Sequence, residues 1–131
     1  MPGPTKRSHR TKAVFSSVAV VVSSRKRSIK WYADKLGLDV LAAHGHWVTV
    51  GRKGRDGVLH LCQASDWEDP IPLEKGLTGI CFKLSGDFET ACTALRKKGV
   101  EFTRPPTKRD WGWGARIADP DGNEFDLHPW D

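Results

Sequence analysis

Two short segments carry side chains that could bind a metal ion or a polar ligand. The first, VLHLCQ, contains His60 and Cys62, and the second, EFDLHP, contains Asp126 and His128. Because side chains two positions apart on a β-strand point to the same face, each pair lies on one side of its strand. Imidazole, thiolate and carboxylate groups bind divalent metals, but a histidine beside an acid is also a common hydrogen-bonded pair. The two motifs alone leave both interpretations open.

Tryptophans near predicted turns could form a wall beside these side chains. The chain contains six tryptophans, and Trp111 and Trp113 alternate in DWGWG, so we expect them to share a face. Gly112 and Gly114 would leave space beside the rings, and Trp47 occupies a comparable place earlier in the chain. Flat aromatic rings are typical of pockets for planar or cationic organic ligands, and equally of a packed core. Both roles remain open for the three tryptophans.

Composition predicts one compact domain and excludes several protein classes. The chain has 131 residues, 38% of them hydrophobic, and no apolar run near the roughly 18 residues that a membrane span needs. The first twelve residues contain no apolar signal sequence. The three cysteines form no CxxC motif and indicate a reducing, cytoplasmic location. We find no GxSxG motif and no P-loop.

The net charge of +5 comes mostly from the start of the chain. Residues 1–12 hold four basic side chains and no acid, so residues 13–131 carry 17 basic against 16 acidic groups. We therefore predict a disordered basic tail at 1–12 followed by a single domain at 13–131. A basic arm could contact nucleic acid, but the nearly neutral body has no basic stripe with interleaved aromatics, so nucleic acid is not the expected partner.

The domain contains two copies of one unit, 62 residues apart. SVAVVVSS matches GICFKLSG, and SIKWYADKLGLDV matches TACTALRKKGVEF, with Gly37 aligned on Gly99. Each copy reads as a strand, a helix and three short strands, which defines a βαβββ unit. The predicted boundaries are module one at 13–63, a linker at 64–76 and module two at 77–131.

Local signals mark where each element begins and ends. Ser24 and Asp87 are suited to cap the two helices, and Gly37 and Gly99 are suited to the left-handed position that ends them. DPDGN is strong turn chemistry before the last strand. The predicted strands are 14–22, 38–43, 46–52 and 57–63 in module one, and 77–84, 100–104, 113–118 and 123–128 in module two.

The segments KWYADKLGL and WGWGARIADPDGNEFDL, placed in this repeat, resemble the vicinal oxygen chelate superfamily over residues 14–130. That superfamily includes glyoxalase I, extradiol dioxygenases, and the fosfomycin- and bleomycin-resistance proteins. The resemblance implies an α+β fold of two tandem βαβββ modules whose curled mixed sheets form a ligand cleft. It also implies a homodimer.

The resemblance places metal-ligand positions on the first and last strands of each module. These positions fall on Ser17 and Gly79 for the first strands, and on His60 and Asp126 for the last strands. Serine is a poor ligand for a divalent metal and glycine has no side chain, so half of the set is missing.

These departures favour a small-molecule-binding protein without a complete metal site. It would bind an aromatic or other organic ligand in a Trp-lined cleft and need no cofactor. The expected ligand-binding residues are Trp47, His60, Cys62, Trp111, Trp113, Asp126 and His128. The alternative is a metal-dependent lyase, isomerase or dioxygenase that holds a divalent metal with His60 and Asp126.

Overall fold

The computed structural model describes residues 10–55, 57–67 and 72–130. Of the predicted tail at 1–12, residues 1–9 lie outside the described residues, as do residues 68–71 of the predicted linker. The elements are β1 (Val18–Val22), α1 (Arg25–Leu36), β2 (Asp39–His44), β3 (Trp47–Gly51), β4 (Val58–Gln63), a short 3₁₀ turn (Ala64–Asp66), β5 (Gly76–Leu84), α2 (Phe88–Lys97), β6 (Glu101–Arg109), β7 (Gly112–Ala118) and β8 (Asn123–Pro129).

The strands form two four-stranded mixed sheets with the same topology. The order is β1-β4-β3-β2 in the first sheet and β5-β8-β7-β6 in the second. In each sheet the first strand runs parallel to the last, and the other pairs are antiparallel. The predicted α+β fold with two βαβββ modules is therefore confirmed.

The helices begin and end where the sequence predicts. The Ser24 hydroxyl accepts a hydrogen bond from the Arg27 amide at 3.2 Å, and Asp87 accepts one from the Thr90 amide at 3.0 Å. These caps satisfy amides that have no partner inside the helix. Gly37 ends α1 at a φ of +67°, which costs a glycine no steric strain. No helix in the described ranges is long and apolar enough to cross a membrane.

Two strand boundaries differ from the prediction for reasons of pairing. The first strand begins at Val18 rather than at residue 14, because Val18 pairs with Leu59 and β4 begins only one residue earlier, at Val58, so residues 14–16 have no strand residue beside them. Strand β6 runs on to Arg109 rather than ending at residue 104, through two prolines. Proline is tolerated there because β6 lies at the edge of its sheet and needs hydrogen bonds on one side only.

One hydrophobic core lies between the helices and one face of each sheet. Strand residues such as Leu61, Ile117 and Phe125 are fully buried in it, and Tyr32 of α1 meets the Phe125 ring edge-on at 6.1 Å. Full burial of each such side chain contributes about 2 kcal/mol. The opposite faces of the two sheets are left for polar and aromatic side chains.

A buried carboxylate joins the two modules. Asp119, the first residue of the DPDGN turn, accepts hydrogen bonds from the Tyr32 hydroxyl at 2.7 Å and from the side-chain amide of Asn123 at 2.9 Å. The same Asn123 amide nitrogen donates to the carbonyl of Val21 in module one at 3.0 Å. Burial, and then the nearby Asp119 charge, raise the pKa of Tyr32, so its hydroxyl stays protonated as a donor. This cluster fixes how the two sheets sit on their shared core.

Candidate functional site

The chemistry-bearing side chains occupy the sheet faces that turn away from the core. His60 lies between the buried residues Leu59 and Leu61, and Asp126 lies between Phe125 and Leu127. Strand alternation therefore sends both polar side chains to the opposite face. Each face is hollow, and the hollow holds a different set of residues.

The first concavity lies on module one and has a volume of about 690 Å³. It combines the hairpin between β2 and β3 with the end of β4 and the 3₁₀ turn that follows. It is lined by His44, His46, Trp47, His60, Cys62, Gln63, Asp66 and Trp67.

A stacked ring pair forms the floor of the first concavity. The indole of Trp47 and the imidazole of His60 are 4.0 Å apart between centroids and inclined by 30°. Trp47 keeps 43% of its surface exposed, so its ring also has area to offer a ligand. Burial, and then the charge of Arg25, lower the pKa of His60. The imidazole is therefore neutral at pH 7 and suited to stacking rather than to attracting an anion.

The single acid of the first concavity is already neutralised. Asp66 accepts hydrogen bonds from the guanidinium of Arg25 and from Gln63 at 3.1 Å, and it lies 3.2 Å from His46 Nδ1. The hydrogen bond from Arg25 is the main reason that the pKa of Asp66 lies below its ordinary value. Cys62 is buried and accepts a hydrogen bond from the Trp67 indole at 3.1 Å. The concavity is therefore aromatic and nearly uncharged.

The second concavity lies on module two and is smaller, at about 280 Å³. It is lined by Arg104, Arg109, Trp111, Gly114, Ala115, Arg116, Asp126 and His128. Nε of Arg116 donates to Oδ1 of Asp126 at 2.9 Å, and the Trp111 ring meets His128 nearly edge-on at 5.3 Å. Its chemistry is that of guanidinium groups beside one carboxylate and two rings.

The two tryptophans of DWGWG lie on opposite faces. Trp113 alternates with the buried residues Ala115 and Ile117 and packs on Phe88 at 6.3 Å, against the core. Trp111 lies in the turn before β7, where alternation has not begun, and its ring folds over Gly114. A Cβ added at Gly114 would come within 2.7 Å of that ring, so this glycine makes room for the indole rather than for a ligand.

The structure sorts the sequence-predicted residues into two groups. Trp47, His60 and Cys62 line the first concavity, and Trp111, Asp126 and His128 line the second, while Trp113 packs against the core. Sequence reasoning missed the residues that set the charge of each group: Asp66, Arg104, Arg109 and Arg116. Alternation with Ile117 could have placed Arg116, but Arg104 depends on a strand irregularity that leaves no sequence signal.

The donors of one chain do not fit the metal site that the fold resemblance implies. Ser17 and Gly79 add no strong donor, and Gly79 has a φ of +80° within an irregular stretch of β5. His60 and Asp126 lie in separate concavities, and Asp126 is bound to Arg116. Within the described ranges, no three His, Cys, Asp or Glu side chains are grouped so that they could hold a metal ion.

The chain is similar to known proteins in both sequence and structure. Residues 14–127 match the family model of the Glyoxalase/Bleomycin resistance protein/Dioxygenase superfamily. A member of that superfamily from Sphaerobacter thermophilus DSM 20745 is 32% identical, with a TM-score of 0.71 and coverage of 88% of this chain and 96% of its own. TnmS3, an antibiotic binding protein from Streptomyces sp. CB03234, is 27% identical, with a TM-score of 0.68 and coverage of 92% and 98%. An uncharacterized protein of Shewanella frigidimarina (strain NCIMB 400) is 32% identical over 119 residues, 84% of this chain and 88% of that protein.

Proposed function

Because this chain belongs to the Glyoxalase/Bleomycin resistance protein/Dioxygenase superfamily, we propose that it binds a small organic ligand with an aromatic part. The observation that carries the proposal is that each concavity holds an exposed tryptophan ring in contact with a histidine ring. Trp47 is 43% exposed and stacks on His60, and Trp111 is 61% exposed and contacts His128. Large rings held by neighbours but open on one side are typical of ligand pockets, since their surface is available at little entropic cost.

The proposed binding does not require a metal ion. Two of the four positions implied by the family hold serine and glycine, and Asp126 is engaged by Arg116. The similarity to TnmS3, an antibiotic binding protein, supports a binding role over a catalytic one. The three free cysteines support a reducing, cytoplasmic location.

We propose further that the complete cleft forms in a homodimer. The two concavities lie on separate sheets of one chain, and each is open. If the first concavity of one protomer faced the second concavity of its partner, both tryptophans would enclose one ligand. The pairing would repeat by two-fold symmetry, which gives two identical clefts per dimer.

Binding can be tested with N-phenylnaphthylamine, a neutral aromatic probe whose emission rises in an apolar site. We expect saturable binding that weakens about tenfold in Trp47→Ala and in Trp111→Ala, since each ring contributes roughly 1 kcal/mol or more. Trp130→Ala is the control, because Trp130 is similarly exposed but lines neither concavity. Binding lost only in the control variant would place the ligand elsewhere and reject the proposal.

The dimer can be tested by mixing two defective chains. Trp47→Ala and Trp111→Ala are unfolded, mixed and refolded together so that heterodimers form. A cleft shared between protomers restores wild-type affinity in a fraction of the sites, because one cleft of each heterodimer has both tryptophans. No restored sites, or a monomer by light scattering, would reject the shared cleft.

The metal-dependent lyase, isomerase or dioxygenase remains the competing function. Elemental analysis of protein purified without a chelator or a metal-binding tag separates it from the proposal. About one divalent metal per chain, lost in Asp126→Ala, would establish the metalloenzyme. We expect substoichiometric metal in both proteins, because only two of the family's four ligand positions carry donors.

A further inference from the structure

The second concavity has an excess of positive charge. Three guanidinium groups line it, from Arg104, Arg109 and Arg116, against the single carboxylate of Asp126. Arg116 uses Nε to bind Asp126, and within the described part of the chain Arg104 and Arg109 form no ion pair. The charge in this hollow is therefore not balanced by the protein itself.

Two of the arginines face each other across neighbouring strands. Arg104 of β6 is the cross-strand partner of Arg116 of β7, which in turn is the partner of Asp126 of β8. Like charges directly opposite on a sheet destabilise it. A row of arginines that binds an anion has this property, because its like charges repel one another until a bound anion neutralises them.

A strand irregularity produces this juxtaposition. Phe102 pairs with Ile117 on the core face, and in a regular strand Arg104 would share that face with Phe102. The register shifts between Phe102 and Arg104, so that Arg104 becomes the partner of Arg116 instead. Bulges of this kind re-aim a side chain, here from the core to the concavity.

From these observations, and resting on the function proposed above, we infer the ligand's chemical class. We propose that the second concavity binds the anionic group of the ligand, a carboxylate or a phosphate, through Arg104 and Arg116. Trp111 would contact the adjoining apolar part of the ligand. Guanidinium groups suit this task because their planar N–H groups match two oxygens of a carboxylate or phosphate at once.

Two probes with one ring system test the inference. Anilinonaphthalene sulfonate carries an anionic group that N-phenylnaphthylamine lacks. We expect the wild-type protein to bind the sulfonate more tightly, and Arg104→Gln to weaken sulfonate binding about tenfold while changing the neutral probe's affinity less than about twofold. Arg104→Lys should bind the sulfonate with an affinity between those of the wild type and Arg104→Gln, because lysine keeps the charge and loses the planar pair of donors.

Lys108→Gln is the matched control, since it removes one positive charge from the same strand. Lys108 pairs with Trp113 and lies outside the concavity. If Arg104→Gln and Lys108→Gln weaken sulfonate binding equally, the effect is one of net charge and the inference is wrong.

The outcomes also separate this inference from the proposed function. If the neutral probe binds through the tryptophans and the sulfonate binds no more tightly, the anion site is rejected and the binding function stands. If neither probe binds, both are rejected. Displacement of the bound sulfonate by benzoate or by phenyl phosphate supports the inference and identifies which anion the arginines prefer.

Discussion

The two concavities occupy equivalent faces of two repeated modules, yet they differ in charge. In the first, the one acid is held by Arg25 and a ring stack forms the floor. In the second, three guanidinium groups surround one carboxylate. The two sheets have the same topology, and each hollow lies on the sheet face opposite to the one that packs against the helices and the core. The backbone repeat therefore determines where the side chains of each concavity lie, and individual side chains together with one bulge determine the charge of each concavity.

Closing the space under Trp111 is expected to have a large effect. Gly114→Ala places a methyl group 2.7 Å from the present position of the indole, so the ring must shift from its present place in the second concavity. We expect sulfonate-probe binding to weaken about fivefold to tenfold, which corresponds to roughly 1 kcal/mol of lost ring contact. Fluorescence titration measures it. In the background of Trp111→Ala the same substitution should have no further effect, and a further loss there would contradict the explanation.

A change in the opposite direction is expected at Asp126. Asp126→Asn removes the carboxylate that partly neutralises Arg116, so the sulfonate probe should bind about threefold to fivefold more tightly. The gain is modest because both side chains are partly exposed. Isothermal titration calorimetry at low salt measures it. Weaker binding in this variant would instead indicate that Asp126 holds the ligand or a metal, and the contrast between the two concavities would disappear.

The electrostatics of the first concavity can be tested at Arg25. Burial lowers the pKa of His60 first and the Arg25 charge second, so Arg25→Gln should raise the pKa of His60 while leaving it below its ordinary value. Because the pKa of His60 is lowered in the folded state, its contribution to stability is fully present above the unfolded-state pKa. The contribution is lost as pH falls through the folded-state pKa, since the unfolded chain binds the proton more readily. NMR titration of the imidazole signals measures the shift. An unchanged pKa of His60 in this variant would show that the charge of Arg25 does not affect the stacked imidazole.

The smallest effect expected is a gain in stability at Arg104. Arg104→Gln removes a like-charged partner of Arg116, so the free energy of unfolding should rise by a few tenths of a kcal/mol. Urea denaturation at low salt measures it, and Lys108→Gln, on the other face of the strand, should leave it unchanged. A destabilised Arg104→Gln would mean that the arginine contributes to packing rather than to an anion site.

Local patterns predicted most of the fold. The caps at Ser24 and Asp87 and the glycine at residue 37 act within a few residues of themselves, so the sequence shows them directly. The repeat also placed His60 and Asp126 on the faces away from the core, because alternation needs no knowledge of partners.

Features that depend on a partner strand were not predictable in the same way. The first strand begins late because β4 starts at Val58 and has no residues to pair with 14–16, and β6 is long because β7 extends beside it. The same limit affected the site. Trp111 and Trp113 were expected to share a face, but Trp111 precedes the first residue of β7 and so escapes the alternation.

The charge of each concavity was missed for a similar reason. Arg104 reaches its position only through a register shift with β7, and Asp66 reaches the first concavity from the 3₁₀ turn inside the predicted linker. Neither position follows from the spacing of residues along one segment.

The buried joint at Asp119 has a consequence for protein engineering. Its hydrogen bonds to Tyr32 and Asn123 lie on the core side, and none of the three residues lines either concavity. The mechanical connection between the modules is therefore separate from the two concavities. A combinatorial library could randomise the hollow of one module without loosening its attachment to the other, so that new specificities could be selected one module at a time.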